Sequence, residues 1–398
     1  MFSFVTESVI EGAAQVVVPK LEALKRAVGD YAPSRAPVFY NPLMELNRDV
    51  AVLVLQAYQK MADHRLVTAD PLAGCGVRGV RFAKEAEGIS EVHMNDINPE
   101  AFKMMHHNIK LNALTDRVFA SNEDANLFLS RHAGPNMRFD FIDMDPSGTP
   151  VPYLDSAIRA SRDGGMLALT ATDLAPLCGV YATVALRKYG GFSLRTEYCR
   201  ELAVRLLSGC LATVAAKHEI GVDIVFSHSS DHYVRVYALV RHGARLADAS
   251  IERLGHVFHC FACFHRETVT KIAPEINGRC SECGSPLKVA GPLWLGRLVD
   301  RQFCGLVEAD AVAGRFRHGN RVAKLVSLVK AESDAPVTYY VVDAICDKLN
   351  VPIPPLKKVM DRLREKGFQA VATHFHSRGI KTNAPAKEVT GEIIGASR

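Results

Sequence analysis

The chain has 398 residues, 48% of them hydrophobic and 23% charged, with a net charge of +5. That balance is one of a folded globular protein and excludes a disordered, collagen-like or disulfide-scaffold chain. No apolar run approaches the ~18 residues of a membrane span, so no membrane association is expected.

The charge is unevenly spread. Residues 1–242 hold 25 Lys and Arg against 27 Asp and Glu, a net of −2, and residues 243–398 hold 23 against 16, a net of +7. A catalytic front joined to a back that meets a polyanion fits this division, and so does a solvated basic surface. The N-terminus lacks a cationic start followed by a long apolar stretch, so no secretion signal is expected and the location is expected to be cytoplasmic. The ten cysteines then read as thiols or metal ligands.

In chain order, Val5 to Val18 has β-type content broken at Glu11-Gly12, which predicts a hairpin, and Leu21 to Val28 looks helical. A loop from Tyr31 to Pro37 leads to Phe39-Tyr40-Asn41-Pro42, aromatics beside a turn that suit either a core or a lid stacking on a base. Leu43 to Lys60 is a helix with Asn47, Arg48 and Asp49 on its polar face.

Leu66 to Ala69 is a short strand ending at Asp70, followed by Gly74-x-Gly76-x-x-Gly79 opening a helix, then a strand, Glu91 to Asn95, ending on Asp96. Glycines allow the tight turn and a close backbone approach to a ligand, and an acid at the second strand end suits a ribose diol. The unit fits NAD or S-adenosylmethionine. Asp70 is placed for an ammonium group such as the methionine amine, and Arg78 and Arg81 for a carboxylate or a pyrophosphate.

A helix from Pro99 to Leu114 and a strand from Val118 to Ala120 lead to Asp124-Ala125, where the acid suits an adenine amine, a helix N-cap, or both. The apolar run Phe139 to Ile142 is a buried strand, and it breaks at once on Asp143-Met144-Asp145-Pro146-Ser147-Gly148-Thr149-Pro150. A carboxylate on a rigid turn at a strand's carboxyl end is a candidate catalytic loop. A fifth strand, Gly165 to Thr170, runs into the long loop Thr172 to Gly179; then come a helix, Glu197 to Ala216, and two paired strands, Val222–Ser227 and Tyr233–Val240. Five strand–helix units closed by an antiparallel hairpin predict an α/β fold of methyltransferase rather than dehydrogenase type.

From residue 243 the pattern changes. Cys260, Cys263, Cys280 and Cys283 spell C-x2-C-x16-C-x2-C, two knuckles suited to a structural Zn²⁺, with His256, His259 and His265 close by. Two helices, Val337–Leu349 and Pro355–Lys366, and a β-like tail suggest a winged-helix-like unit over 334–383. Lys357, Lys358, Arg362, Arg364, Lys366, Arg378 and Lys381 crowd it and are candidate phosphate contacts or a solvated face. The tail, residues 384–398, is expected to be mobile.

Several stretches together resemble the tRNA (guanine-26) N2-dimethyltransferases, with a cast closer to archaeal members. They are Phe39-Tyr40-Asn41-Pro42 with Asn47-Arg48-Asp49, the Asp70 glycine loop, Asn95-Asp96, Asp145-Pro146-x-Gly148-x-Pro150, Thr172-Asp173-x-Ala175-Pro176-Leu177-Cys178-Gly179 and Gly379-Ile380-Lys381-Thr382, together with the zinc-type cysteines.

The resemblance implies a class I, Rossmann-like methyltransferase domain with a seven-stranded sheet over 1–242. A smaller α+β domain over 243–398 would carry a zinc ribbon (256–290) and the winged-helix-like unit and bind tRNA. It implies transfer of one or two methyls from S-adenosylmethionine to guanine N2, the rivals being another exocyclic amine in rRNA or DNA, or an NAD enzyme. Arg48, Arg78, Asp96, Asp124 and Ala125 would line the cofactor site beside Asp70, Gly74 and Gly76; Asp145 and Pro146 would hold the target amine, and Phe39 would pack near the base. Ser147 stands where the family usually has an aromatic. No protein partner is evident.

Overall fold

A computed structural model describes residues 2–24, 33–271, 273–274, 278–312 and 316–397. The hairpin forms as expected, β1 (Thr6–Glu11) against β2 (Ala14–Pro19). Gly12 turns it at φ +56°, where a Cβ would collide with the Glu85 carboxylate. The helix expected over Leu21–Val28 begins as a 3-10 turn, Leu21–Leu24; residues 25–28 lie outside the described residues, as do Tyr31 and Ala32 of the predicted loop.

The central elements follow as α1 (Glu45–Met61), β3 (Leu66–Asp70), α2 (Val77–Glu85), β4 (Ile89–Asn95), α3 (Pro99–Leu111), β5 (Val118–Ser121), α4 (Ala125–Arg131), β6 (Phe139–Met144), α5 (Leu154–Ala160) and β7 (Ser161–Ala171). Local chemistry explains the boundaries. Asn98 caps α3 through the Glu100 N–H with Pro99 as its first residue, and Asp124 caps α4 through the N–H groups of Asn126 and Leu127. β6 is buried at all six positions, the signature of a parallel strand covered on both faces.

The remaining elements are α6 (Leu174–Leu177), α7 (Ala182–Tyr189), α8 (Cys199–Ala216), β8 (Ile220–Ser230), β9 (Tyr233–His242), α9 (Ala244–Ile251), β10 (Leu254–His259), β11 (Arg266–Val269), β12 (Lys288–Trp294), α10 (Arg301–Val312), α11 (Gly319–Ala331), β13 (Tyr340–Val341), α12 (Val342–Leu349), α13 (Leu356–Glu365), β14 (Ala370–Ala372), β15 (Gly379–Thr382) and α14 (Ala386–Ser397).

The main sheet has the order β5-β4-β3-β6-β7-β9-β8. β3 to β7 pair in parallel, and β8 and β9 close the sheet as an antiparallel hairpin. The chain lays β4 and β5 on one side of β3 and then returns with β6 on the other. The topological switch point, where open α/β sheets place their ligands, therefore lies between the carboxyl ends of β3 and β6.

Two compact units divide the chain: Met1–Pro146, Pro152–Leu169 and Gly305–Val326 make the first, and Ser147–Val151, Thr170–Cys304 and Ser327–Arg398 the second. Within the second, a small sheet of order β11-β10-β12 carries the cysteine knuckles, and another of order β13-β15-β14 joins α12 and α13 in the expected winged-helix-like arrangement.

The C-terminal tail is not loose. Ala386, Val389, Ile393 and Ala396 recur on one helical face and enter a core with Ile345, Val359, Leu363 and Ile380. That helix also corrects the reading of α13. Its Glu392 accepts from Arg362 at 2.7 Å and pairs with Lys366 at 2.6 Å, and its Glu388 lies 3.0 Å from Lys366. Arg364 donates to Ala370 O, Lys358 to Ala396 O, and Lys381 is 97% buried on Glu201. Most of the cations expected to meet phosphate are therefore already partnered within the fold.

Candidate functional site

The site is built at the carboxyl ends of the parallel strands in the first unit. β3 delivers Asp70 and the chain turns through the glycine loop into α2. Gly76 precedes the helix at φ +80°, where a Cβ would press on Met94 and Met105. The loop is pinned by hydrogen bonds from Ala73 N–H to Asn95 O and from Gly74 N–H to Asp96 Oδ2, both 2.9 Å. Asn95 in turn donates to Pro71 O and Glu123 O, so one side chain ties the ends of three strands.

The Phe39 segment lies on this loop. A Cβ on Gly74 would stand 2.8 Å from Phe39 O, and Asn98 donates to Pro37 O at 2.6 Å. The two neighbouring aromatics have different roles. Tyr40 is buried and donates to Glu11, whereas the Phe39 ring is 45% exposed, as a lid residue would be.

Asp70 is 98% buried, and its Oδ2 has no hydrogen-bond partner among the described residues. Burial, reinforced by Asp143, Asp145 and Asp96, pushes its carboxyl up to about 8 against the opposing pull of Arg78. A buried acid with an orphaned oxygen beside a glycine cradle fits the ammonium end of S-adenosylmethionine.

Asp96 accepts from Gly74 through Oδ2 and from Asn98 N–H through Oδ1. Asp124 is exposed and caps α4 through Oδ1, while Ala125 beside it is buried. Ile97, which follows Asp96 and was not among the expected site residues, is a large apolar side chain 66% exposed and suited to a flat ring. The signal available was an apolar residue placed where the chain leaves a strand for a helix cap.

Arg78 sits against the end of β6. Its guanidinium donates to Asn47 Oδ1 at 2.9 Å, to Asp143 Oδ2 at 3.2 Å, and makes a close contact with Asp145 Oδ2. It is buried, its partners are two carboxylates and one carboxamide of the protein, and Asn47 and Asp143 join the candidate site as residues that orient it.

Arg48 and Arg81 form a separate network. Arg48 makes a bidentate pair with Glu11 at 2.5 and 2.7 Å and donates to Asn41 O. Arg81 is fully buried on Glu11, Asp49 and Glu85, which removes it as a candidate for a ligand carboxylate. Burial pushes the Glu11 carboxyl up, but Arg48 and Arg81 outweigh it and hold Glu11 below its usual range. The hairpin tip thus buries an acid that locks both arginines, which no local pattern announced.

Asp145, at the end of β6, keeps 17% of its side chain exposed. Pro146 is buried and Ser147 exposed. In the second unit the turn is clamped: Gly148 N–H donates to Thr172 Oγ1 and Thr172 N–H to Gly148 O, each at 2.8 Å. Gly148 has φ +106°, a conformation that favours glycine. Asp173 next to it accepts from Tyr189 OH at 2.5 Å and Lys188 at 2.9 Å.

Cys260, Cys263, Cys280 and Cys283 converge, their sulfurs all within 4.8 Å of one another, with Cys260–Cys283 and Cys263–Cys280 at 3.5 Å. A tetrahedral zinc with Zn–S near 2.3 Å separates its sulfurs by about 3.8 Å, so the four cysteines fit Zn²⁺ with no open position. The two knuckles share a pattern: Cys260 N–H donates to His265 O and Cys280 N–H to Ser285 O. No histidine is needed.

Among the described residues no helix is long and apolar enough to cross a membrane. A family model described as N2,N2-dimethylguanosine tRNA methyltransferase matches residues 12–394. The tRNA (guanine(26)-N(2))-dimethyltransferase of Methanothermobacter thermautotrophicus is 40% identical over 388 residues, covering 98% of each chain. The tRNA (guanine(26)-N(2)/guanine(27)-N(2))-dimethyltransferase of Aquifex aeolicus is 35% identical, covering 96% of this chain and 94% of its own. The structure of Trm1 from Pyrococcus horikoshii with S-adenosyl-L-methionine superposes with a TM-score of 0.86 at 31% identity, over 98% of this chain and 100% of the other.

Proposed function

The chain belongs to the N2,N2-dimethylguanosine tRNA methyltransferase family, and from that premise we propose that it transfers one or two methyl groups from S-adenosylmethionine to the exocyclic N2 of guanine-26 in tRNA. The observation that carries the site assignment is the meeting of Asp70 with its orphaned oxygen and Asp145 on its Arg78 support at the β3–β6 switch point. Residues 1–242 are the proposed methyltransferase domain. Residues 243–398 are the proposed zinc- and tRNA-binding domain, working on the cytoplasmic tRNA pool.

S-adenosylmethionine supplies an electrophilic methyl on a sulfonium. Asp70 would accept its ammonium group and Asp96 its ribose hydroxyls, and Asp124 and Ala125 would meet the adenine, with Ile97 against the ring face. Arg48 acts from behind: by holding Asn41 O and Glu11 it shapes the segment that carries Phe39.

The guanine N2 lone pair is delocalised into the ring, which makes the amine a poor nucleophile. The Asp145 carboxylate accepts one N2–H and the Pro146 carbonyl the other, concentrating the lone pair toward the methyl. Asp145 takes the proton as charge develops on nitrogen. Arg78 fixes the carboxylate's direction, and positioning supplies much of the rate. Phe39 covers the base after it leaves the tRNA stack, a step costing a few kcal/mol. Ser147 is exposed and carries a small side chain where the family usually has an aromatic, and a monomethylated amine needs room to turn for a second transfer.

The test is nucleoside mass spectrometry on a defined tRNA transcript incubated with enzyme and labelled S-adenosylmethionine. Label in N2-methyl- and N2,N2-dimethylguanosine, lost when position 26 is changed to adenine, is the expected result. Label in another nucleoside, or retained in the altered transcript, would overturn it.

A further inference from the structure

The cations of α13 are largely neutralised within the fold, so a tRNA enzyme must draw its phosphate contacts from elsewhere. Between Asp173 and Glu197 the chain runs for residues 174–196 without one acid and with three cations, Arg187, Lys188 and Arg195. Lys188 is spent on Asp173. Arg187 and Arg195 are exposed and make no hydrogen bond or ion pair with any described residue. Around them stand exposed apolar groups, Tyr181 at 58%, Val180 at 49% and Leu186 at 42%. A soluble surface seldom gathers such side chains without a partner, and unpaired arginines interleaved with an aromatic ring suit the phosphates and base faces of RNA.

This segment is tied to the Gly148 turn by contacts within the second unit. Tyr189 OH and Lys188 Nζ, at the end of α7, both bind the Asp173 carboxylate. Thr172, the residue before it, exchanges two hydrogen bonds with Gly148, two residues beyond Pro146. α7 is therefore anchored to the strand end that clamps the catalytic turn, and Gly190 at φ +75° ends the helix.

We infer that the 180–195 segment is a tRNA-contact surface, with Arg187 and Arg195 neutralising backbone phosphates and Tyr181 stacking on an unpaired base. This rests on the tRNA reading above. Its position gives it a second consequence: RNA bound here is held by the helix that fixes Asp173, whose neighbour Thr172 exchanges two hydrogen bonds with Gly148.

The test measures tRNA affinity of the whole protein against salt, alongside S-adenosylhomocysteine affinity. The Arg187→Ala, Arg195→Ala double variant should lower the slope of log Kd on log salt by about 2, one per arginine. Each single variant should lower it by about 1, and the Arg187→Lys, Arg195→Lys variant should restore it. Tyr181→Ala should raise the KM for tRNA about fivefold or more with the slope unchanged, and Tyr181→Phe should recover it. S-adenosylhomocysteine affinity should stay at the wild-type value throughout. A wild-type protein that binds tRNA with a steep slope, left unchanged in the double variant, overturns this surface. A wild-type protein with no tRNA affinity overturns the tRNA reading itself.

Discussion

Asp70 shows what a single residue does in this architecture. Its carboxyl, pushed up to about 8 by burial and by three neighbouring acids against the pull of Arg78, is largely protonated at neutral pH in the ligand-free protein. An unfolded Asp titrates near 3.9, so the free protein's stability from this group is complete below that value and is lost as pH rises through 8. An ammonium group placed against Oδ2 favours the ionised form and expels the proton. Binding of S-adenosylhomocysteine at pH 7 should therefore release close to one proton, and affinity should fall as pH drops from 8 to 6. Calorimetry in buffers of different ionisation heat reads this directly. Buffer-independent heats for the wild type would contradict it, and Asp70→Asn should remove the release. Neither the raised carboxyl nor the orphaned oxygen was legible in sequence, because both depend on Asp143, Asp145 and Asp96 arriving from other strands. What was legible was that an acid ends the strand before a glycine loop.

At the scale of elements, local signals were read well where the chemistry is local. The hairpin at Gly12, the glycine turn, the capped helices and the buried β6 all lie within a few residues of their cause. The failures were of one kind. α13 looked like a basic face because its neutralising acids, Glu388 and Glu392, lie 22 to 30 residues later on a helix that had looked mobile. Lys381 looked available for phosphate, yet its partner Glu201 is 180 residues away. That pair is a test of the second unit's integrity. Glu201 accepts from Lys381 at 2.7 Å, from Arg205 at 2.9 Å and from Thr338 N–H at 3.0 Å. Burial raises its carboxyl, but Lys381 and Arg205 prevail and bring it to about 2, so this stabilisation is present above the unfolded carboxyl value near 4.3 and is lost as pH falls through 2. Lys381→Met should cost about 3–5 kcal/mol by stranding a buried carboxylate, and the Lys381→Met, Glu201→Gln double variant should regain part of it. Denaturant titration at pH 7 checks both; a single variant within about 1 kcal/mol of wild type would refute the pairing.

For the whole molecule, the layout follows from where the sheet reverses direction. The switch point gathers four acids from three strand ends, Asp70, Asp96, Asp143 and Asp145, and one buried arginine, Arg78, connects the glycine helix to Asp143 and Asp145. The strand-end acids were legible in the sequence because each ends an apolar run before a turn or a helix cap. The contacts of Asn47 with Arg78, and of Thr172 and Tyr189 within the second unit, were not, because no spacing encodes them. In the proposed mechanism Asp145 handles the target amine while the donor is held elsewhere. Single-turnover methylation of tRNA by Asp145→Ala, measured beside its affinity for S-adenosylhomocysteine, tests it most directly. The expected rate is lowered by roughly 10²–10⁴-fold or more, with that affinity within a few fold of wild type. Methylation near the wild-type rate would contradict it.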